Sequence, residues 1–321
     1  MRQDVAFVSD GHTVRGWFFI PEEGEAPYPA IVMAGGWCYV KELVQPHYAQ
    51  FFVDAGFAVL LFDYRNFGVS DGARRQHIDP NMQIEDYRNA ISYLETRDDV
   101  DASRIGVWGL SYSGGHALVL AATDPRVRCA VSQIPVVDGY RNMRRVHGTI
   151  GFRRFEQLLL EDRRRRFATG EGGTLPHAAE DPVAEISTWP FPETYATFKA
   201  LKENEAPAYQ NLSTIESAEL LMSYSVAPFL PRILDVPTLV IVAERDDLTL
   251  WDLEIEAYNA IPTSKKRLVV VGGSTHMTLY SDRSLLTQAG VAAADWFSEN
   301  LGRARVHAEA VSQHAPHAAR A

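Results

Sequence analysis

Cysteine is scarce, long apolar runs are missing and basic charge is in deficit, and each shortage removes a class of protein. Two cysteines, Cys38 and Cys129, stand in 321 residues. They form neither a zinc-ligand spacing nor a disulfide framework, which fits a reducing compartment. No stretch approaches the roughly 20 apolar residues of a membrane-spanning helix. The amino-terminal MRQDVAFVSDGHTV goes directly into an alternating pattern, with no apolar run of signal-peptide length. A soluble cytoplasmic protein is the simplest expectation. Lys and Arg number 31 against 41 Asp and Glu, a net charge of −10, so no broad electropositive surface for nucleic acid or anionic lipid is expected. The one basic run, Arg163 to Arg166, is flanked by acidic residues and reads as a solvated helix face, with a site for an acidic substrate group as the sharper alternative. No motif calls for a cofactor or a metal. The expected partner is a small-molecule substrate, and homo-oligomerisation is left open.

What is present suits a folded globular chain. Hydrophobic residues make up 46% and charged residues 22%, enough apolar surface for a sizeable core. Val5 to Ser9 and Val14 to Ile20 read as two strands joined at Asp10-Gly11, a type I′ hairpin signal. The wholly apolar runs Ala30 to Ala34 and Ala58 to Phe62 suit parallel strands buried on both faces. Further strands are expected at Ile105 to Trp108, Arg128 to Ser132, Thr238 to Ala243 and Leu268 to Val271. Helical patterns separate them: Pro46 to Ala55, Asn81 to Thr96, Ser113 to Ala122, Trp251 to Ala260 and Ser284 to Asn300. This alternation predicts an α/β fold with a mainly parallel sheet flanked by helices. Residues 137–230 break it, with helical stretches rich in aromatics and interrupted by Gly and Pro. They read as a helical lid inserted into a core formed by residues 1–136 and 231–302. The Ala- and His-rich tail 303–321 is expected to fray, its three histidines without a metal role.

The segment IGVWGLSYSGGHALVLAA sets a serine between a buried strand and a helix. In a nucleophile elbow the residues two before and two after the serine come close and must be small, and Gly109 and Ser113 meet that demand for Ser111. Ser113 is a rival, because Ser111-Tyr112-Ser113-Gly114-Gly115 matches half of the pattern itself. Reading the strand as closing at Trp108 favours Ser111. A serine hydroxyl needs an adjacent base, usually an imidazole held by a carboxylate. His276 follows the last core strand in the loop GGSTHM, at the sheet edge expected for Ser111. His12, His47, His77 and His116 take satisfied surface roles by default. The strand TLVIVA runs into Glu244-Arg245-Asp246-Asp247; Asp246 is favoured as the acid, Asp247 stays open, and Asp138 is a weaker third choice. The backbone amides of Tyr112 and of Trp37, in the loop GGWCYVK, are the expected oxyanion donors. Cys38 beside them reads as a small buried residue near the pocket.

The ordered set GGW, FDYRNFGVSDG, WGLSYSGG, VAERDD and GGSTH resembles the α/β-hydrolase superfamily over nearly the whole chain except the lid and tail. Within it the chain is similar to dienelactone-hydrolase-like, acetylxylan-esterase-like and polyketide-associated enzymes that act on esters and thioesters. The resemblance implies an α/β-hydrolase fold and a metal-independent acyl-enzyme mechanism with the triad Ser111, Asp246 and His276. Gly35 stands where many members have His, and Ser113 replaces the second elbow glycine. The leading expectation is a serine hydrolase acting on a carboxylic ester, thioester or lactone of a small to medium, partly apolar substrate. An acyltransferase or carbon–carbon bond hydrolase uses the same triad, and a ligand-binding protein on the same fold is the non-enzymatic alternative. Peptidase action is less favoured, since no added propeller or amine-binding site is evident.

Overall fold

A computed structural model describes residues 1–302, so the expectation for the tail falls outside the described residues. The chain opens with the hairpin β1 (Arg2–Ser9) and β2 (His12–Phe19), paired antiparallel with Ser9 opposite His12. Asp10 and Gly11 between them both take positive φ, 44° and 78°, as the Asp-Gly turn requires. There follow β3 (Tyr28–Ala34), α1 (Gln45–Asp54), β4 (Ala58–Phe62), α2 (Pro80–Glu95), β5 (Val100–Leu110), α3 (Tyr112–Thr123) and β6 (Val127–Gln133). After an insertion the core resumes with β9 (Thr238–Ala243), α8 (Trp251–Ala260), β10 (Lys266–Val271), α9 (Thr278–Ser281) and α10 (Arg283–Leu301).

The eight core strands form one sheet in the order β1-β2-β4-β3-β5-β6-β9-β10, antiparallel at the β1-β2-β4 edge and parallel from β4 to β10. Every residue of β4 and β9, and of β3 from Pro29 onward, is buried, because helices cover both faces. At the outer edge β10 is half-exposed. Close approach of a helix to the sheet explains Gly106: a Cβ there would lie 2.8 Å from the Phe297 ring on α10.

Residues 137–230 contain α4 (Gly139–Val146), α5 (Gly148–Thr169), α6 (Pro192–Asn204) and α7 (Ile215–Met222), plus a ribbon of two three-residue strands, β7 (Thr174–Pro176) and β8 (Leu212–Thr214). The arginine run lies on α5, and three of its four members are bonded within the insertion. Arg163 and Arg166 bond Glu219 on α7, Arg166 also reaches Asp162 and Glu216, and Arg165 donates to the Glu171 and Gly172 carbonyls. It joins two helices of the insertion.

Candidate active site

Parallel strands bring their carboxyl ends to one edge, so β5, β9 and β10 deliver Ser111, Asp246 and His276 to the same side of the sheet. Ser111 follows Leu110 directly. The strand does not close at Trp108: Gly109 and Leu110 stay paired with Ser132 and Gln133 of β6, because a glycine facing a close neighbour is a strand residue here and not a breaker. A Cβ on Gly109 would meet the Ser113 carbonyl oxygen at 2.0 Å. The two serines are therefore told apart by their bonding. Ser113 is wholly buried; its hydroxyl accepts from Leu110 N–H (2.8 Å) and has the Ala34 (2.8 Å) and Leu110 (3.0 Å) carbonyls as acceptors for its one hydrogen. Ser111 takes φ 61°, ψ −118°, and although it sits at the N-cap of α3, its hydroxyl makes no capping bond. Such backbone persists only when surrounding bonds fix it. Ser111 N–H donates to the Gln133 carbonyl at 2.9 Å, and its own carbonyl accepts from Gly114 and Val136. The hydroxyl, not spent on capping, sits at the positive end of a twelve-residue helix.

Asp246 and His276 meet directly, with Nδ1 2.7 Å from Oδ2 and both side chains buried. The other carboxylate oxygen of Asp246 accepts the Leu248 and Thr249 amides at 3.0 and 2.8 Å, which fixes its plane. Asp247 is exposed and makes no bond to His276. Asp138 instead caps α4 through Arg141 N–H. The Thr249 hydroxyl lies 3.0 Å from His276 Nδ1 and donates to Glu254 Oε1 at 2.7 Å. With both Asp246 and Thr249 presenting acceptors to it, Nδ1 carries the hydrogen and Nε2 is left basic. Glu254 is wholly buried behind the pair, and burial, then the charge of Asp246, pushes its carboxyl well above the usual range.

The loop after β3 abuts the serine. A Cβ on Gly36 would sit 3.1 Å from the Leu110 carbonyl oxygen and 3.3 Å from Ser111 Cβ, so a larger residue here would crowd the serine. The next residue, Trp37, packs its ring edge-on to Tyr112 at 5.2 Å. Tyr112 opens α3, and a first-turn amide has no acceptor within its helix. The loop is anchored by the buried Asp63, whose carboxylate accepts Lys41 N–H (2.7 Å), Lys41 Nζ (2.8 Å) and Val69 N–H (3.1 Å). Gly68, with φ 49°, leaves room for that carboxylate. This accounts for FDYRNFG as a clamp on the GGW loop. Cys38 is buried beside β8, its thiol 3.4 Å from the Leu212 carbonyl, and burial raises its pKa.

Two phenols missed by motif reasoning complete the site. Tyr280, one turn after His276, has its hydroxyl 3.5 Å from Nε2 and has the Ser111 hydroxyl as a neighbour. It also bonds the Tyr39 hydroxyl. The insertion covers them: Phe198 of α6 packs against Tyr39 (5.2 Å), Tyr280 (5.8 Å), Tyr209 (5.3 Å) and His177 (4.5 Å). Ser111 is 5% and His276 2% exposed. Burial lowers His177 to about 3, so it is neutral, and its Nδ1 bonds Tyr209 at 2.7 Å. The i, i+4 spacing of His276 and Tyr280 is the one signal for this group in the sequence. Two other histidines correct the surface expectation: His116 is fully buried between Tyr224 and Gln83, and His77 is buried against Thr214. Among the described residues no group of three His, Cys, Asp or Glu side chains could hold a metal ion, and no helix is long and apolar enough to cross a membrane.

Comparison with known proteins agrees with this architecture. A thiohydrolase of Aspergillus aculeatus is 44% identical over 136 residues, 42% of either chain. A polyketide transferase of a Penicillium species is 33% identical over 181 residues, 56% of this chain and 58% of that one. The chain thus spans about half the length of these relatives. The solved structure of DcsB in complex with its substrate analogue superposes with a TM-score of 0.80 at 25% identity, covering 94% of this chain and 100% of the other. The profile of the X-Pro dipeptidyl-peptidase (S15) family matches residues 10–278, and the chain belongs to that family, within the α/β-hydrolase superfamily.

Proposed function

We propose that the protein is a serine hydrolase that cleaves a carboxylic ester or thioester through an acyl-enzyme on Ser111. The observation that carries this is the buried 2.7 Å Asp246–His276 bond at the strand ends beside a serine held at φ 61°, whose hydroxyl makes no bond to its own helix and faces Tyr280. His276 Nε2 takes the Ser111 proton, and the alkoxide attacks the carbonyl. The Trp37 and Tyr112 amides hold the tetrahedral anion. His276 returns the proton to the departing alcohol or thiol and then activates water for deacylation, while Asp246 orients the imidazole and stabilises its charged form. Residues 137–230 act as the lid, and the rings of Phe198, Tyr209, Tyr39 and Tyr280 suit an uncharged, partly apolar acyl group.

The family description names a peptidase, but among the described residues no carboxylate hydrogen-bonds to Tyr39, Tyr209 or Tyr280 of the aromatic wall to receive a substrate ammonium group. The thiohydrolase relative favours ester-type bonds. The transferase relative supports a second reading, passage of the acyl group to an acceptor other than water by the same steps. A panel of 4-nitrophenyl esters, acyl thioesters, lactones and an X-Pro 4-nitroanilide tests the choice. Turnover of esters or thioesters, lost in Ser111→Ala, is expected. Turnover of the X-Pro amide alone, or ester turnover unchanged in Ser111→Ala, refutes the proposal.

A further inference from the structure

We propose that Tyr280 is a further catalytic residue, a neutral hydrogen-bond donor to the leaving oxygen or sulfur, held in position by Tyr39; the inference rests on the acyl-enzyme reading above. The geometry is specific. His276 must hand its proton from Nε2 to the leaving atom, so that atom must come within hydrogen-bond reach of Nε2. The Tyr280 hydroxyl already lies 3.5 Å from Nε2, next to the Ser111 hydroxyl. The rings of His276 and Tyr280 are stacked at 5.7 Å with planes 25° apart, so the phenol stays beside the imidazole edge. The two phenols share two hydrogens. One makes the Tyr39–Tyr280 bond; with Tyr39 as its donor the Tyr280 hydrogen faces His276 Nε2 and turns to the leaving atom once Nε2 has taken the Ser111 proton.

Burial raises both phenols above their ordinary value, so neither gives up its proton. During acylation the bond from the carbonyl carbon to the leaving atom breaks, with its electron pair going to that atom. The proton arriving there is the one His276 took from Ser111; Tyr280 lends a hydrogen bond and keeps its own hydrogen. Such a bond matters most when the leaving atom becomes strongly basic, as in an alkoxide. It matters little for a weakly basic nitrophenolate, and thiolate sulfur is a poor acceptor. Tyr280 therefore widens the range of leaving groups toward alkyl oxoesters.

The test compares kcat/KM for ethyl butyrate and 4-nitrophenyl butyrate in wild type, Tyr280→Phe and Tyr39→Phe, with fluorophosphonate labelling of each. Tyr280→Phe keeps the ring packing. It is expected to lower the ethyl ester by about 100-fold, the scale of one lost aimed donor, and the nitrophenyl ester by less than about 5-fold. Tyr39→Phe should show the same selectivity with a smaller loss. Equal losses on both esters, as a purely structural role would give, or no loss on either, overturn the role of Tyr280. Label on Ser111 together with either of those outcomes rejects Tyr280 alone. Absence of label on Ser111 in wild type rejects the acyl-enzyme reading beneath it.

Discussion

A histidine that takes and returns one proton needs one nitrogen fixed and the other free, and at the scale of single residues that division is visible. Asp246 and Thr249 both present oxygen to Nδ1, leaving Nε2 toward the Tyr280 hydroxyl. Asp246→Asn would offer the imidazole a donor and favour the wrong tautomer, so kcat should fall by about 10⁴-fold. Asp247→Asn, on the exposed side of the same turn, should leave kcat nearly unchanged; steady-state kinetics on a 4-nitrophenyl ester separates the two. The positions of Ser111, Asp246 and His276 are readable in the sequence because each follows an apolar strand. The choice between Asp246 and Asp247 is not, since one residue of register decides which carboxylate turns inward. Tyr39 and Tyr280 are 241 residues apart and meet only in the folded chain. Glu254 lies within an ordinary helical pattern, and nothing in that pattern marks its burial.

At the scale of elements, the site is a turn between a strand and a helix, backed by a clamped loop. Buried parallel strands such as β3, β4 and β9 are legible as continuous apolar runs. The end of β5 is not, because glycine usually weakens strands while Gly109 is kept in one by the Ser113 carbonyl pressed against it. The elbow thus depends on the missing Cβ. Gly109→Ala should destabilise the fold by about 3 kcal/mol through overpacking, seen as a lower urea midpoint, and should reduce activity of the folded fraction because Ser111 is displaced. An unchanged midpoint with full activity would show that the turn tolerates the methyl group. The FDYRNFG segment is recognisable as a motif, but its work is tertiary: Asp63 reaches back 22 residues to Lys41 and so holds the loop that carries Trp37.

At the scale of the whole molecule, the insertion and the core are joined by buried polar contacts as well as by aromatic packing. His116 on α3 bonds Tyr224 of the insertion and Gln83 of α2, each at 3.0 Å, and burial lowers it to about 3. Its folded pKa is thus below the unfolded value near 6.5, so the unfolded chain takes up a proton that the folded chain refuses. Stability from this site is intact above pH 7 and falls as pH drops through 6.5. Relative to His116→Gln, wild type should lose about 2 kcal/mol between pH 7.5 and 5, measurable by urea denaturation at several pH values; parallel curves would contradict a neutral buried His116. The parallel α/β alternation is legible because the helices and strands are periodic, whereas residues 137–230 read only as helical and aromatic, and the packing of Phe198 on Tyr39 and Tyr280 has no signature. The central claim is that Ser111 is a nucleophile activated by His276, and mapping the covalent adduct of a fluorophosphonate by peptide mass spectrometry tests it most directly. The account predicts modification at Ser111 in the native protein, and none at Ser113, in Ser111→Ala or after denaturation. Modification at another residue, or a native protein left unlabelled where a control hydrolase reacts, would contradict it.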